Sequence, residues 1–423
     1  MILLEKLYNE KEWVVEGLKK KNFKDLHLVD DIILLDTRKK ELKTSLDNLN
    51  AKRNSDSKII GQLMKEGKKE EVEAVKSELS FIKDEIANTE EQLKIVEKEL
   101  FDELVKLPNT PHTSVPKGIT PEENEIVASW GEIPTLNDKA LEHWDLAKKY
   151  ELFDLELGVK LTGSGFPVYT GKGAKLQRAL ISYFLDKAEE AGYNEVIPPL
   201  LVNEESAFAT GQLPDKEGQM YHATADNFYL IPTAEVPITN IFRDVILAEK
   251  DLPQKRAGYT PCFRREAGSY GKDVRGLNRV HQFDKVEIVQ IAHPDKSYEV
   301  LEDMVKHVAS ILQSLGLPYR ILRLCGGDMS FASALTYDFE VYSAAQKRWL
   351  EVSSVSNFET FQSNRLKLRF KDSEGKNRLA HTLNGSALAL ARIVACLLEN
   401  NQTEEGIVLP EVLRSYTRFD VIN

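Results

Sequence analysis

Apolar residues in the first quarter of the chain recur at intervals of three and four. Leu28, Leu35, Leu42 and Leu49 fall seven apart, joined by Leu46, Ile60 and Leu63. After a break near Gly67 a second series runs through Val75, Leu79, Ile82, Ile86, Leu93, Val96 and Leu100. Apolar a and d positions kept over about four heptads predict coiled-coil helices. No proline interrupts either half before Pro108. Two helices joined at Glu66-Gly67-Lys68 therefore fold back as an antiparallel arm over residues 26–105. At ~1.5 Å per residue, about 40 residues per helix make an arm about 60 Å long.

The pattern then changes. Pro108, Pro111, Pro116 and Pro121 lie within KLPNTPHTSVPKGITP, which blocks helix and ladder hydrogen bonds and predicts an extended linker. The expected organisation is an N-terminal domain at 1–107, a linker at 108–122 and a second domain at 123–423. In the second domain KLQRALISYFLDKAEEAG reads as an amphipathic helix ending near Gly192. YNEVIPPLLVN reads as a strand, but Pro198 and Pro199 confine it to a sheet edge or to a contact with another chain. Further on come a strand (TPCFRRE), a polar loop (AGSYGKDVRGLN) and a second strand (RVHQFDKVEIVQI). Alternation puts Val280, Gln282, Asp284 and Val286 on one face of that second strand. Arg279, His281, Phe283, Lys285 and Glu287 fall on the other.

Composition narrows the class. The chain has 423 residues, 42% hydrophobic and 29% charged, which suits a globular protein of two or three domains. Charges interrupt the apolar start MILLEKLYNEKEW, and SALALARIVACLL is too short to span a bilayer and contains Arg392. No membrane is expected, and a cytoplasmic location is. The three cysteines (Cys262, Cys325, Cys396) stand far apart without a CxxC pair, so no zinc is expected and a reducing compartment is. A net charge of −11 excludes nonspecific nucleic-acid binding by the whole surface. Residues 51–70, however, hold six basic side chains (Lys52, Arg53, Lys58, Lys65, Lys68, Lys69) against three acidic ones. They make either a solvated coiled-coil face or an arm whose outer part meets phosphates.

The densest chemistry lies in CFRREAGSYGKDVRGLNRVHQFDKVE, from Cys262 to Glu287. Arg264, Arg279, Phe283 and Glu287 can share one concave surface. Guanidinium forks bind phosphate and carboxylate, and an aromatic face lets a nucleobase stack. On these residues alone, a site for a nucleotide triphosphate with a small zwitterion and a charged hairpin needed only for folding both remain open.

The same stretch closely resembles motif 2 of class II aminoacyl-tRNA synthetases in the form found in seryl-tRNA synthetases of bacterial type. Four other features of that family occur in order: the arm, Thr233-Ala234-Glu235, Glu351-Val352-Ser353-Ser354, and the motif-3-like LNGSALALARIVACLLENNQ at 383–402. The edge strand at Val196 to Pro199 resembles motif 1, a dimer contact in the family, which implies a homodimer. The resemblance implies an α+β chain: a helical coiled-coil arm plus a catalytic domain built on an antiparallel sheet flanked by helices. It also implies an ATP-dependent ligase that activates L-serine and loads it onto tRNA(Ser), with tRNA(Sec) as a second candidate substrate.

Residue roles follow from the same resemblance. Arg264 would hold the α-phosphate of ATP and the serine carboxylate. Glu266 would accept from the adenine amino group, Phe283 would stack on the ring with Arg392 on its far side, and Arg279 would steady the terminal phosphates. Val280 would line this pocket, Arg265 would contribute backbone contacts, and Val352 and Ser353 would complete the ATP site. Glu351 and Ser354 would hold Mg2+. Thr233, Ala234, Glu235, Glu287, Asn384 and Ser386 would form the serine pocket with Arg264. Arg264, Glu351 and Arg392 are the expected catalytic set. The six basic residues at 51–70 would grip tRNA, and Lys272 and Arg275 would lie in the loop between the motif 2 strands. His281 is expected to be structural, and Gly165, where many relatives carry Arg, receives no role.

Two alternatives remain at this stage. A relative that loads a carrier protein would not need a long basic-tipped arm. A scaffold that keeps only the fold would be free to lose Arg264, Glu266, Glu351 or Arg392, and all four are present.

Overall fold

The computed structural model describes residues 1–215, 218–266 and 275–423. Lys272 lies outside the described residues. The chain forms two compact units, one of residues 2–19 and 23–108, the other of Met1, 20–22 and 109–423.

In the first unit, helix α1 (Leu28–Lys65) and helix α2 (Lys69–Leu104) pack along their length. Ion pairs Lys39–Glu97 and Lys52–Glu78 bridge them and fix the antiparallel sense. The turn at residues 66–68 and the helix bounds agree with the heptad reading. The seam of α2 is the expected one, extended to Val72, with Ile82, Ile86, Val96 and Leu100 buried. In α1 the inward positions alternate by four and three from Leu28 through Ile32, Leu35, Lys39, Leu42, Leu46, Leu49, Arg53, Asp56 and Ile60 to Leu63. The gap in the apolar series between Leu49 and Ile60 is therefore no break in the helix. Arg53 and Asp56 occupy the seam there. Arg53 is half-buried, whereas Lys52, Lys58, Lys65, Lys68 and Lys69 are exposed.

The second unit is built on a mostly antiparallel sheet. Its strands are β1 (Glu125–Trp130), β2 (Asn194–Glu195), β3 (Gln254–Phe263), β4 (Gln282–Ala292), β5 (Tyr319–Arg323), β6 (Leu335–Ser343), β7 (Arg348–Asn357) and β8 (His381–Ala389). They lie in the order β1-β5-β6-β7-β8-β4-β3-β2, with only the β2–β3 pair parallel. The proline-containing segment after Tyr193 does end up at the sheet edge. It is split into β2 and a separate two-residue strand at Leu201–Val202, because neither proline has an N–H to give a ladder.

Residues 109–118, within the expected extended linker, belong to the second unit and are hydrogen-bonded into it. Asn109 N–H donates to Phe331 O (2.9 Å) and His112 N–H to Ala334 O (2.8 Å), and the Asn109 amide reaches Ala332 O and Phe358 O. The prolines keep this segment extended, and its remaining backbone groups and the Asn109 side chain supply the hydrogen bonds.

Helices α3 (His143–Tyr150), α4 (Gly171–Glu190), α5 (Glu235–Asn240), α6 (Ser297–Ser314) and α7 (Leu390–Asn400) surround the sheet. α4 buries Leu176, Leu180, Phe184 and Ala188, spaced by four, and α7 is apolar over nearly its whole circumference. β4 shows how the sheet separates its faces. Val286 and Ile288 enter the main core with Leu180, Met304 and Ile393. Val289 and Ile291 enter a smaller core with Ile238, Leu366 and Phe370 on the opposite face. By alternation Phe283, Lys285 and Glu287 share that second face, and Phe283, near the strand end, also packs against the main core.

Candidate active site

The last ladder positions of β3 and β4 pair Phe263 with Gln282. Beyond them the strands part, so Arg264–Glu266 and Arg279–His281 stand outside the sheet although they read as strand. One further bond, Arg264 N–H to His281 O (2.9 Å), carries the pairing past the ladder. His281 Nδ1 meets Arg264 O at 3.0 Å and the Tyr221 hydroxyl at 3.1 Å, and its ring stacks on Phe166. Gly165 lies directly over that ring: a Cβ there would sit 2.2 Å from His281 Cδ2, at a φ of +82°. An arginine at this position would not fit.

Arg264 is half-buried, with its Nε donating to Pro232 O (3.3 Å) and its guanidinium carbon 5.2 Å from the Phe283 ring centroid. Arg279 donates to Glu266 Oε2 at 3.0 Å, so these two residues neutralise each other across the open end of the hairpin. Arg265 is exposed and its N–H donates to Gln219 O, while Val280 is buried. Arg392, at the start of α7, donates from Nε to Asn278 O (2.9 Å) and from Nη1 to Glu351 O (2.6 Å). Its Nη1 lies 3.7 Å from the Glu351 carboxylate.

Glu351 and Ser354 are three residues apart, so a regular strand would point them to opposite faces. The β6–β7 register pairs Phe339 with Ser353 and Glu340 with Glu351, leaving Val352 without an opposite number. That one-residue bulge returns Glu351 to the face of Ser354. Val352 packs in the main core, and Ser353 is buried with its hydroxyl on Ser386 O. Ser354 Oγ donates to Asp338 Oδ1 at 2.6 Å. Burial, and then the Glu351 charge, raise the Asp338 carboxyl well above the ordinary carboxylate range.

The third cluster is almost fully enclosed. Glu287 and Ser386 are direct cross-strand partners in β4 and β8, with Asn384 two residues along β8. Lys285 Nζ lies 2.7 Å from Glu287 and donates to Thr233 Oγ1 at 3.0 Å. Thr233 Oγ1 also accepts from Glu235 N–H, at the start of α5, while Ala234 packs in the smaller core. Gln362 holds the Glu235 carboxylate at 2.7 Å. Burial, and then the Glu287 charge, push Glu235 up to about 7. Burial also raises Glu287, against the pull of Lys285. Glu287 Oε1 and Asn384 Oδ1 find no hydrogen-bond partner among the described residues. Buried acceptors left open beside Arg264 and Lys285 suit a small ligand that carries its own donors.

The expected ATP and serine residues thus lie in two adjoining regions on one side of the sheet, except Val352, Ser353, Ala234 and Val280, which are buried in packing. Three residues have site contacts that sequence reasoning did not use. Lys285 appeared in the strand alternation without a role, and Asp338 and Gln362 carried no local signal.

Comparison with known proteins identifies the family. Residues 220–401 match the tRNA synthetase class II core domain (G, H, P, S and T), and residues 1–111 match the seryl-tRNA synthetase N-terminal domain. The fold is that of a class II aminoacyl-tRNA synthetase. The serine--tRNA ligase of Salinibacter ruber is 50% identical over 99% of this chain and 98% of its own. That of Methylacidiphilum infernorum is 51% identical over 93% and 94%. The seryl-tRNA synthetase of Pyrococcus horikoshii, solved in complex with ATP, superimposes with a TM-score of 0.93 at 32% identity, covering 100% of this chain and 99% of that one. The chain belongs to the seryl-tRNA synthetase family.

Proposed function

We infer that the chain is a serine--tRNA ligase, activating L-serine with ATP to seryl-adenylate and pyrophosphate, then passing the seryl group to the 3′ end of tRNA(Ser). The observation that carries this reading is the meeting of two regions on one face of the sheet. Arg264 over Phe283 suits a nucleotide, and the enclosed Thr233–Glu235–Lys285–Glu287 group suits a small zwitterion. The family membership and the ATP complex of the Pyrococcus relative support it.

In the first step the serine carboxylate attacks the α-phosphorus and the bond to the β-phosphate oxygen breaks, releasing pyrophosphate. A carboxylate is already ionised at pH 7, so this attack needs no protein base. The work left to the chain is positioning and charge neutralisation. Arg264 holds the α-phosphate and the serine carboxylate together. Phe283 and Arg392 enclose the adenine ring, Glu266 accepts from its amino group, and Arg279 meets the terminal phosphates. ATP thus exchanges the Glu266–Arg279 pair for two new partners. Arg265, Val280, Val352 and Ser353 serve through backbone and packing.

Thr233, Glu235, Glu287, Asn384 and Ser386, with Ala234 behind them, receive serine. Hydrogen bonding to its hydroxyl rejects alanine by ~10^4-fold or more. Glu351 and Ser354 fit Mg2+: both offer hard oxygen, and Ser354 Oγ spends its proton on Asp338, leaving lone pairs outward. Bound there and completed by phosphate oxygens, the ion would neutralise phosphate charge.

Residues 1–107 form the tRNA-binding domain, 108–122 the connection and 123–423 the catalytic domain. The outer arm, through Lys52, Arg53, Lys58, Lys65, Lys68 and Lys69, meets tRNA(Ser), and tRNA(Sec) is a further candidate. A homodimer forms about the β2 edge, where Ile197 is 86% exposed and Leu201 47% exposed. Among the described residues no helix is long and apolar enough to cross a membrane, and the cytoplasm is the proposed location.

Purified protein should catalyse ATP–pyrophosphate exchange that depends on serine. Exchange supported by another amino acid in its place would overturn the substrate assignment. The pH profile gives a second check. The free pocket holds a proton on Glu235 up to about 7, and the serine ammonium competes with that proton. The KM for serine should therefore fall as pH rises from 6 through 7 and level off above. In Glu235→Gln the slope should vanish, whatever the absolute KM.

A further inference from the structure

Behind the nucleotide region a buried polar network joins α7 to the chain segment that returns from the motif 2 loop. Glu399, near the end of α7, is fully buried, yet its carboxylate accepts four hydrogen bonds. Oε1 takes the His143 N–H (3.0 Å), the His143 Nδ1–H (2.7 Å) and Gln346 Nε2–H (2.9 Å), and Oε2 takes the Ser343 hydroxyl. Burial alone raises a carboxyl, but these donors, His143 foremost, hold Glu399 below its ordinary range. The His143 ring is equally buried, and its other nitrogen accepts the Leu277 N–H at 2.8 Å. A ring nitrogen that accepts an N–H carries no proton, so the tautomer with hydrogen on Nδ1 is fixed from both sides.

The fit leaves no slack. A Cβ on Gly276 would sit 2.1 Å from His143 Nε2, at a φ of +63°, so only glycine lets the backbone lie against the ring. A second branch leads onward: Asn278 Nδ2 donates to Gln346 Oε1 (2.8 Å), and Asn278 O accepts from Arg392 Nε (2.9 Å). Through these two branches Glu399 governs where residues 276–278 lie, and with them Arg392 and the neighbouring Arg279. A buried network of this kind, in which every named group but Asn278 Oδ1 has a partner among the described residues, selects one arrangement of what it touches.

We propose that His143, Glu399 and Gln346 are positioning residues for ATP, setting the placement of Arg392 and Arg279 without touching substrate. This rests on the nucleotide assignment above. The two nitrogens of His143 can be tested separately. His143→Asn keeps a donor where Nδ1 stands and loses the acceptor for Leu277, whereas His143→Gln keeps an acceptor near Nε2 and loses the donor to Glu399. Gln346→Leu cuts the other branch at a half-buried site outside the core.

Calorimetric Kd for Mg-ATP should rise about tenfold in His143→Asn and Gln346→Leu, the scale of one buried donor left unpaired. The KM for ATP should follow it, with the KM for serine within about twofold of the parent. His143→Gln should stay within about threefold for ATP. Unchanged ATP affinity in folded His143→Asn and Gln346→Leu would overturn the proposal, as would equal increases for ATP and serine. Should His143→Asn fail to fold, Gln346→Leu decides. A parent that binds Mg-ATP but shows no serine-dependent exchange would sink the functional reading and leave this comparison intact.

Discussion

Replacing Arg264 by alanine should lower kcat/KM for serine-dependent pyrophosphate exchange about 10^3-fold, with the melting temperature almost unchanged. Among the described residues the guanidinium makes one long hydrogen bond, to Pro232 O at 3.3 Å, and otherwise lies over the Phe283 ring. Little stability depends on it. Its assigned ligands are the α-phosphate and the serine carboxylate, the two groups between which the new bond forms. Removing one preorganised donor from such a site costs about 10²–10³ in rate, and a fork serving both reactants belongs at the upper end. Arg264→Lys keeps the charge but not the fork, and should recover less than a tenth of the loss. Exchange is the measurement, with thermal unfolding as control. A loss under about tenfold in Arg264→Ala would remove Arg264 from the reacting centre.

Deleting residues 40–95 should leave exchange within about twofold and reduce transfer of serine to tRNA(Ser) by at least about 10²-fold. The cut is geometrically mild, because Lys39 and Glu97 already face each other at 3.6 Å and a short glycine link can join the shortened helices. The base keeps Val29, Ile32, Leu100 and Leu104 buried. The catalytic unit draws its core from residues beyond 109. What the deletion removes is the exposed set Lys52, Lys58, Lys65, Lys68 and Lys69 together with Arg53 in the seam. Lys52 is already engaged by Glu78 (2.6 Å) and Lys68 by Glu66 (3.1 Å), so Lys58, Lys65 and Lys69 should carry most of the salt dependence of tRNA binding. Loss of both activities in a folded variant would show that the arm and the site are not separable.

The arm was legible because one period persists for more than thirty residues in each helix, and a three-residue turn is the simplest closure. What escaped was the polar part of the seam. Arg53 and Asp56 keep the spacing but not the hydrophobicity, so an apolar count skips them. In the catalytic unit, alternation placed Phe283, Lys285 and Glu287 together because β4 is regular there. It failed at Arg264–Glu266 and Arg279–His281, where the ladder has ended and charge gives no sign of it. Prolines marked residues 108–121 as extended. They carried no information that the Asn109 amide is buried against Ala332 and Phe358, because those partners are more than 200 positions away. The same distance hid His143 and Glu399, 256 positions apart. Each is a single polar residue beside ordinary helix sequence, and only tertiary packing brings them together. Asp338 and Gln362 were hidden for that reason too.

The bulge at Val352 carries a consequence for how the site can change over time. In a regular strand the direction of a side chain depends on its parity, so swapping one residue for another leaves its neighbours aimed as before. Here the aim of Glu351 depends on how many residues separate it from Ser354, and one of those residues has no opposite number. What keeps Glu351 on the face of Ser354 at this spacing is therefore the bulge itself, with the Val352 side chain taken up by the main core. Flattening the bulge with all its residues kept would turn the Glu351 carboxylate toward the layer that holds Val355 and Phe339, whereas deleting Val352 would leave Glu351 and Ser354 two apart on one face. Strand pairing, as much as residue identity, is part of the chemistry of this site.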